Sequence, residues 1–380
     1  MKKIFTMKTR NWFSFVLCCM MMCFVSCTGN DGSGEEPGPD LQGDLVITSS
    51  SSFVVADGSD AVTLTVKKGD TDVTAAAKIY MNNAVYSSTT FTTTEPGEYE
   101  FFASYEGDIS EKIKVKAVAE EVTPLPEDGQ PDNFDSFRRR ALVIQSTGTW
   151  CQFCPLATGG IQEYLANHKE GDAVFAAAHD GDEMSNDYSS KVNTWIGVTT
   201  FPTVTMNLNN ISSSLTMSTN FSQNASLIDE AVSQFVGEKA MSGIAVAVSG
   251  REDTGKLDVI GQVKIGETGQ YRIVAWLLED GIKAEQTVAS GIEGDFSTHN
   301  NVLRLSSSSK AYGEQLGQNQ TLSKGTLVDF AMEMNLNDAT LNSLGSCKVA
   351  VMVTSAKTGR YVVDNVVLCP INDAVAFEYK

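Results

Sequence analysis

Between residues 138 and 238 the hydrophobic period changes, and this change most limits what the chain can fold into. ALVIQST (141–147) is an unbroken apolar run suited to a strand buried on both faces. Behind it Ala157, Ile161, Tyr164, Leu165 and His168 recur at helical spacing before Gly171. DAVFAAAH reads as a second buried strand, SNDYSSKVNTWIG as a second helix and PTVTMNL as a third strand. A further helix is expected over 226–236, with Ser226 as its cap, Asp229 three residues on and Gly237 past its end. Such alternation predicts an α/β domain over 138–240 with a partly parallel sheet.

The flanks keep the two-residue period. Over 44–118, runs such as AVTLTVK, YEFFASY and EKIKVKAV alternate with turns like KKGD, EPGE and EGD, the pattern of a small β-sandwich. It resembles the immunoglobulin-like modules of bacterial surface proteins. A Pro- and acid-rich segment, 119–137, reads as an exposed linker. From 241 to 380 the runs IAVAVS, KLDVIGQVKI, YRIVAWLLED, TLVDFAMEM, KVAVMVTS and YVVDNVVLC predict a larger C-terminal β-sandwich. Folding its last hairpin about Thr358 sets Val349 opposite Val367 and Cys347 opposite Cys369, the spacing of a structural cross-strand disulfide; two free buried thiols are the alternative.

Residues 1–26 have the form of a secretory signal: Lys2, Lys3, Lys8 and Arg10, then an apolar run from Trp12 to Val25 too short to span a membrane. The ending FVSC resembles a lipoprotein lipobox, which makes Cys27 the lipid-carrying residue, and the Gly-, Pro- and acid-rich stretch through residue 43 a flexible acidic tether. The membrane is therefore a partner through a lipid anchor. Removing the leader's four cations from the chain's 28 leaves 24 against 47 acidic residues. That balance excludes nucleic acid as a partner, since phosphate binding needs clustered Lys and Arg. The short run Arg138–Arg140 reads as a solvated domain edge.

TGTWCQFCP (147–155) carries the chemistry. A cysteine at a strand-to-helix junction meets free helix N–H groups and a partial positive charge, both of which stabilise a thiolate. Cys151, the outer residue, is the expected nucleophile and Cys154 the resolving thiol. Pro155 suits a first helical turn. Three readings compete: a redox-active pair, an inert disulfide, and half of a zinc site, the last lacking further ligands. No metal and no cofactor is implied, and HDGDEMSND lacks calcium-loop spacing and reads as a solvated turn.

At this point the chain resembles the thioredoxin fold, through WCQFC after a buried strand and GVTTFPT (197–203). The resemblance implies that Pro202, with Phe201 and Thr203 on either side, belongs to a proline loop that borders a substrate groove beside the cysteines. Trp150 and Phe153 are read either as an apolar rim of that groove or as packing for the domain. Where thioredoxins carry a buried acid this chain has Gln145; Asp180, Asp182 or His179 are candidate substitutes. TGTWCQFCP together with THNNVLRL (298–305) is similar to the thioredoxin-like outer-membrane lipoproteins named after a twenty-eight-kilodalton outer membrane protein of Gram-negative anaerobes, over about residues 135–380. This resemblance implies an outer-membrane location, lipid-anchored and either periplasmic or surface-exposed. His299, Asn301 and Arg304 match that family's second motif, and Arg304 is expected to pair with a carboxylate inside the sandwich.

Two functions follow as expectations. One is thiol–disulfide exchange on the thiols or disulfides of exported proteins, the activity of a thiol–disulfide oxidoreductase. The other is a surface binding or adhesion lipoprotein, with an unidentified surface ligand and a non-catalytic scaffold.

Overall fold

Alternation places Val62, Leu64 and Val66 on the buried face of the strand Val62–Lys68, which pairs antiparallel with Leu45–Ser49. A second sheet, ordered Phe53–Val55, Ile113–Val118, Gly97–Tyr105, Lys78–Met81 and Ala84–Tyr86, closes the module, with Phe101, Val115 and Leu64 in its core. The computed structural model describes residues 45–168, 171–317, 321–357 and 359–380. The leader, Cys27 and the tether lie outside the described residues.

The strand–helix segment consists of β1 (Ala141–Thr147), α1 (Cys154–Asn167), β2 (Ala173–His179), α2 (Asp187–Ile196), β3 (Thr203–Met206) and α3 (Phe221–Gly237). β4 (Ser242–Arg251), β5 (Lys256–Ile265), β6 (Tyr271–Glu279), β7 (Val302–Ser306), β8 (Leu327–Asn335), β9 (Cys347–Lys357) and β10 (Arg360–Pro370) follow. β1 runs parallel to β2 and antiparallel to β3. One sheet crosses residue 240 without a break, in the order β3-β1-β2-β7-β6-β9-β10, because β7 pairs parallel with β2 at Ala177–Val302. α2 covers one face, packing Val192 and Ile196 with Ile144, Trp276 and Met352. The opposite face is covered at one end by α1 and α3, over Val143 and Phe175, and at the other by β4, β5 and β8. The protein is mostly β, with three α-helices among the described residues.

Four local expectations change. α3 begins at Phe221, because the Asn220 side chain accepts from Gln223 N at 3.0 Å and caps it, while the Ser226 hydroxyl donates to Ser222 O within the helix. In the last hairpin Lys357 pairs with Arg360, and the register shifts again between Val353 and Thr354. Cys369 therefore lies opposite Val349, not Cys347, and the expected disulfide is replaced by two free buried thiols. Cys347 donates to Ser343 O (3.3 Å) and Cys369 to Asp373 O (3.2 Å). Arg138–Arg140 is no solvated edge: Arg139 is buried against Asp364 and Phe235, while Arg138 and Arg140 meet Glu378. The linker is fastened too, since the buried ammonium of Lys264 reaches Asp128 (2.8 Å) and Pro131 O (3.0 Å).

Candidate functional site

β1 ends at Thr147, and the chain turns through Gly148 into the cysteine loop. A Cβ on Gly148 would lie 2.6 Å from Trp150 Nε1 and 2.8 Å from Asp180 O, so the turn requires glycine. Cys151 N–H donates to Gly148 O (3.0 Å) and Cys154 N–H to Cys151 O (3.2 Å), after which α1 starts at Cys154. The first turn of α1 has no acidic residue and no side-chain cap; Leu156 N–H bonds to Phe153 O (3.1 Å) and Pro155 has no N–H, so what faces the cysteine side is the positive end of the helix dipole. The two sulfurs are joined as a disulfide, with Cα atoms 5.4 Å apart. Cys154 is fully buried and Cys151 only 4% exposed.

The pairing of Ser146 with Thr203 sets the loop before β3 beside the cysteine loop. Phe201–Pro202 is a cis peptide, and the Phe201 ring packs edge-on against Trp150 with centroids 5.4 Å apart. The Trp150 indole N–H donates to Asp180 O (2.7 Å). Trp150 and Phe153 are each 50% exposed and form an apolar rim. Thr203 is instead buried, its hydroxyl donating to Thr200 O (2.7 Å).

Behind the loop, Asp182 is an organising acceptor and not part of a solvated turn. It is almost fully buried and accepts from Thr149 N (2.9 Å), Met184 N (3.0 Å), Ser185 Oγ (3.1 Å) and, at 2.7 Å, the ring of His179. Burial pulls its carboxyl upward, but the His179 hydrogen bond and charge and the two N–H donors outweigh it and hold it at about 2. The His179 ring lies 5.3 Å from that of His299. A cavity of about 60 Å³ separates them from α1, lined among others by Gln145, Thr158, His179, Gln286 and His299. Gln145 is buried and donates to Thr158 Oγ1 (2.9 Å). Burial, then the neighbouring His179, lowers the His299 pKa.

The segment 298–305 works as a seam. Thr298–His299 pairs with Ile282–Lys283. Asn301, at a φ of 57°, accepts from Ala177 N (2.8 Å) and so joins the segment to β2. Arg304 Nε lies 3.3 Å from the buried carboxylate of Glu279, the carboxylate partner that was expected.

Three contacts carry no mark in the sequence. Thr287 N–H donates to Thr149 O (2.8 Å), Ala289 N–H donates to Gln152 O (2.9 Å), and the Gln286 amide reaches Cys151 O (3.0 Å), Thr149 O (3.1 Å) and Gly148 O (3.3 Å). The stretch EQTVAS reads as an ordinary polar loop, and backbone donors have no residue signature.

Fold and site together define a mostly β, multidomain protein holding a buried cysteine pair at a strand-to-helix junction. Residues 189–374, just under half of the chain, match the family model described as outer membrane protein Omp28; the matched stretch starts after the cysteine pair and includes Pro202 and residues 298–305. This part of the chain is similar to an outer-membrane protein family, and the outer-membrane location expected from the sequence agrees with it. HBP35 of Porphyromonas gingivalis shares the fold at a TM-score of 0.51 and 16% identity, over 62% of this chain and 76% of its own. A domain of the outer membrane lipoprotein Omp28 from Porphyromonas gingivalis is 20% identical over 35% of this chain and 89% of its own, with a TM-score of 0.24. No curated protein matches the sequence.

Proposed function

We propose that the chain is an outer-membrane lipoprotein whose segment 138–240 is thioredoxin-like and exchanges disulfides with exported proteins. The observation that carries this reading is the Cys151–Cys154 disulfide at the start of α1, beside the Phe201–Pro202 loop. A substrate thiolate attacks Cys151 Sγ, the Cys151–Cys154 bond breaks, and Cys154 leaves as a thiolate that takes up a proton. A second substrate thiolate then attacks the substrate sulfur of the mixed disulfide and releases Cys151 as a thiolate. One substrate disulfide forms as one protein disulfide is lost, and the reverse sequence reduces a substrate disulfide.

Each cysteine has its own part. Cys151 faces the rim of Trp150, Phe153 and Phe201, which supplies apolar contact for a peptide, and Pro202 shapes the groove. Cys154, inside the helix, resolves the intermediate. Gln145 cannot carry a proton, so the base is sought in His299, which burial keeps neutral, and in the His179–Asp182 pair across the polar cavity. A cavity of that size holds water, which Gln145 and Thr158 can orient toward α1.

The test is a Cys154→Ser variant incubated with exported proteins. Trapped mixed disulfides at Cys151, absent in Cys151→Ser, are the expected result. No trapped partner, together with a reduction potential far below that of known exchangers, refutes the exchange reading.

A second reading has its own support. Cys151 is covered, and a covered disulfide suits a scaffold whose β-sandwiches bind a surface ligand. Ligand binding that survives replacement of both cysteines favours it.

A further inference from the structure

Cys151 is 4% exposed although Trp150 and Phe153 on either side are 50% exposed. Lying against the cysteine loop is the segment Glu285–Ala289, from the connection between β6 and β7. Two backbone N–H groups two residues apart, those of Thr287 and Ala289, donate to Thr149 O and Gln152 O, the pattern of an extended chain laid along the cysteine loop. Between them the Gln286 side chain caps the carbonyls of Gly148, Thr149 and Cys151. The strap meets the loop through these hydrogen bonds, and Val288 stays 37% exposed.

Its anchors lie elsewhere. Ile282–Lys283 holds one end through Thr298–His299, and Phe296, buried against Phe221, holds the other. From Ala289 to Gly294 the only internal backbone bond among the described residues is Ile292 N to Ala289 O, and Gly291 (φ 88°) and Gly294 (φ 139°) adopt conformations that side chains disfavour. Both ends are pinned, and the crossing portion can leave without breaking either pin.

We propose that Glu285–Ala289 occupies the place of an extended polypeptide substrate, so that the disulfide is latent until such a polypeptide displaces the strap. This rests on the thiol-exchange reading. The carbonyls of Thr149 and Gln152 require donors spaced as in an extended backbone, which a polypeptide supplies and a small thiol does not. The strap and the substrate compete for the same acceptors, and the exposed form is a minor population in the free protein.

The test uses the oxidised full chain. Gln286→Ala, Ala289→Pro and the pair Gln286→Ala with Thr287→Pro each remove strap donors at partly or fully exposed positions; circular dichroism checks folding. The first readout is the rate at which dithiothreitol, oxidised to its cyclic disulfide, converts Cys151–Cys154 to two thiols. A rise of about tenfold in the double variant, and smaller rises in the singles, is expected for a cover held mainly by hydrogen bonds. Rates within about twofold of wild type in all folded variants overturn the proposal. The second readout places the same changes in Cys154→Ser and measures mixed-disulfide formation with an unfolded, disulfide-scrambled protein; strap variants should react faster. Faster reduction by dithiothreitol with no mixed disulfide in any protein refutes the exchange reading and with it the polypeptide occupant. Mixed disulfides at equal rates, with unchanged reduction, leave exchange standing and overturn the strap.

Discussion

Asp182→Asn isolates the acceptor that holds the cysteine loop to the layer beneath it. The carboxylate takes hydrogen bonds from Thr149 N, Met184 N, Ser185 Oγ and the His179 ring, all between 2.7 and 3.1 Å and almost out of water. An amide keeps one acceptor and turns an NH₂ toward a former donor, so at least one charge-assisted bond of about 1.5–3 kcal/mol is lost and a buried donor is left unpaired. Summed, the expected destabilisation at pH 7 is about 2–4 kcal/mol. The pH dependence is a sharper check. Folding holds this carboxyl at about 2 against an ordinary 3.8, so its stabilising effect is complete well above pH 3.8 and is lost as pH falls through that value toward 2. That part amounts to about 2 kcal/mol. Denaturant midpoints of wild type and variant, measured from pH 7 to pH 2, should therefore converge by about 2 kcal/mol at the acid end, other carboxylates cancelling in the difference. Amide exchange at Thr149 should also accelerate. A stability difference under about 0.5 kcal/mol at pH 7, or one that stays constant down to pH 2, refutes the reasoning.

Three other outcomes are expected. In Gly160→Ala the new methyl would stand 2.4 Å from Asn224 Cβ, where α1 meets α3; calorimetry should show a loss of about 1–3 kcal/mol despite the better helix former, while Gly237→Ala, with nothing within 4 Å, should stay within about 0.5 kcal/mol. Arg304→Met leaves Glu279 buried beside no cation and should cost about 3–5 kcal/mol in chemical denaturation, with much of it restored by adding Glu279→Gln; equal losses in the single and double variants would show that the pair is not coupled. Burial pushes the thiols of Cys347 and Cys369 up to about 12, so a thiol reagent should leave both unlabelled in the folded protein at pH 8 and titrate both after non-reducing denaturation; no thiol released on unfolding would restore the disulfide.

Much of this fold was legible in the residues. The unbroken apolar runs at 141–147 and 173–179 are strands buried on both faces, and the helical spacing after Cys154 is α1, because burial on one face or two imposes its own period on any sequence. The cysteine pair and the aromatic rim were visible as residue types whose chemistry is carried by side chains, and Pro202 through the resemblance of GVTTFPT to a proline loop. Buried polar partners were less visible: Asp182 and the run Arg138–Arg140 read as solvated charges, since a sequence does not say whether a charge will find its counter-ion inside.

The sequence by itself determined the order of strands and helices over 141–237 and the cysteine pair at a strand-to-helix junction. Tertiary structure alone decided that the sheet continues across residue 240, that a longer turn and a bulge in the last hairpin together move Cys369 opposite Val349, and that Gln286, Thr287 and Ala289 bond to the cysteine loop. The reason is common to all three. Side-chain burial writes a periodic pattern into the residues, whereas pairing between backbone N–H and carbonyl groups, which every residue but proline supplies, leaves no such pattern and is settled only when distant segments meet.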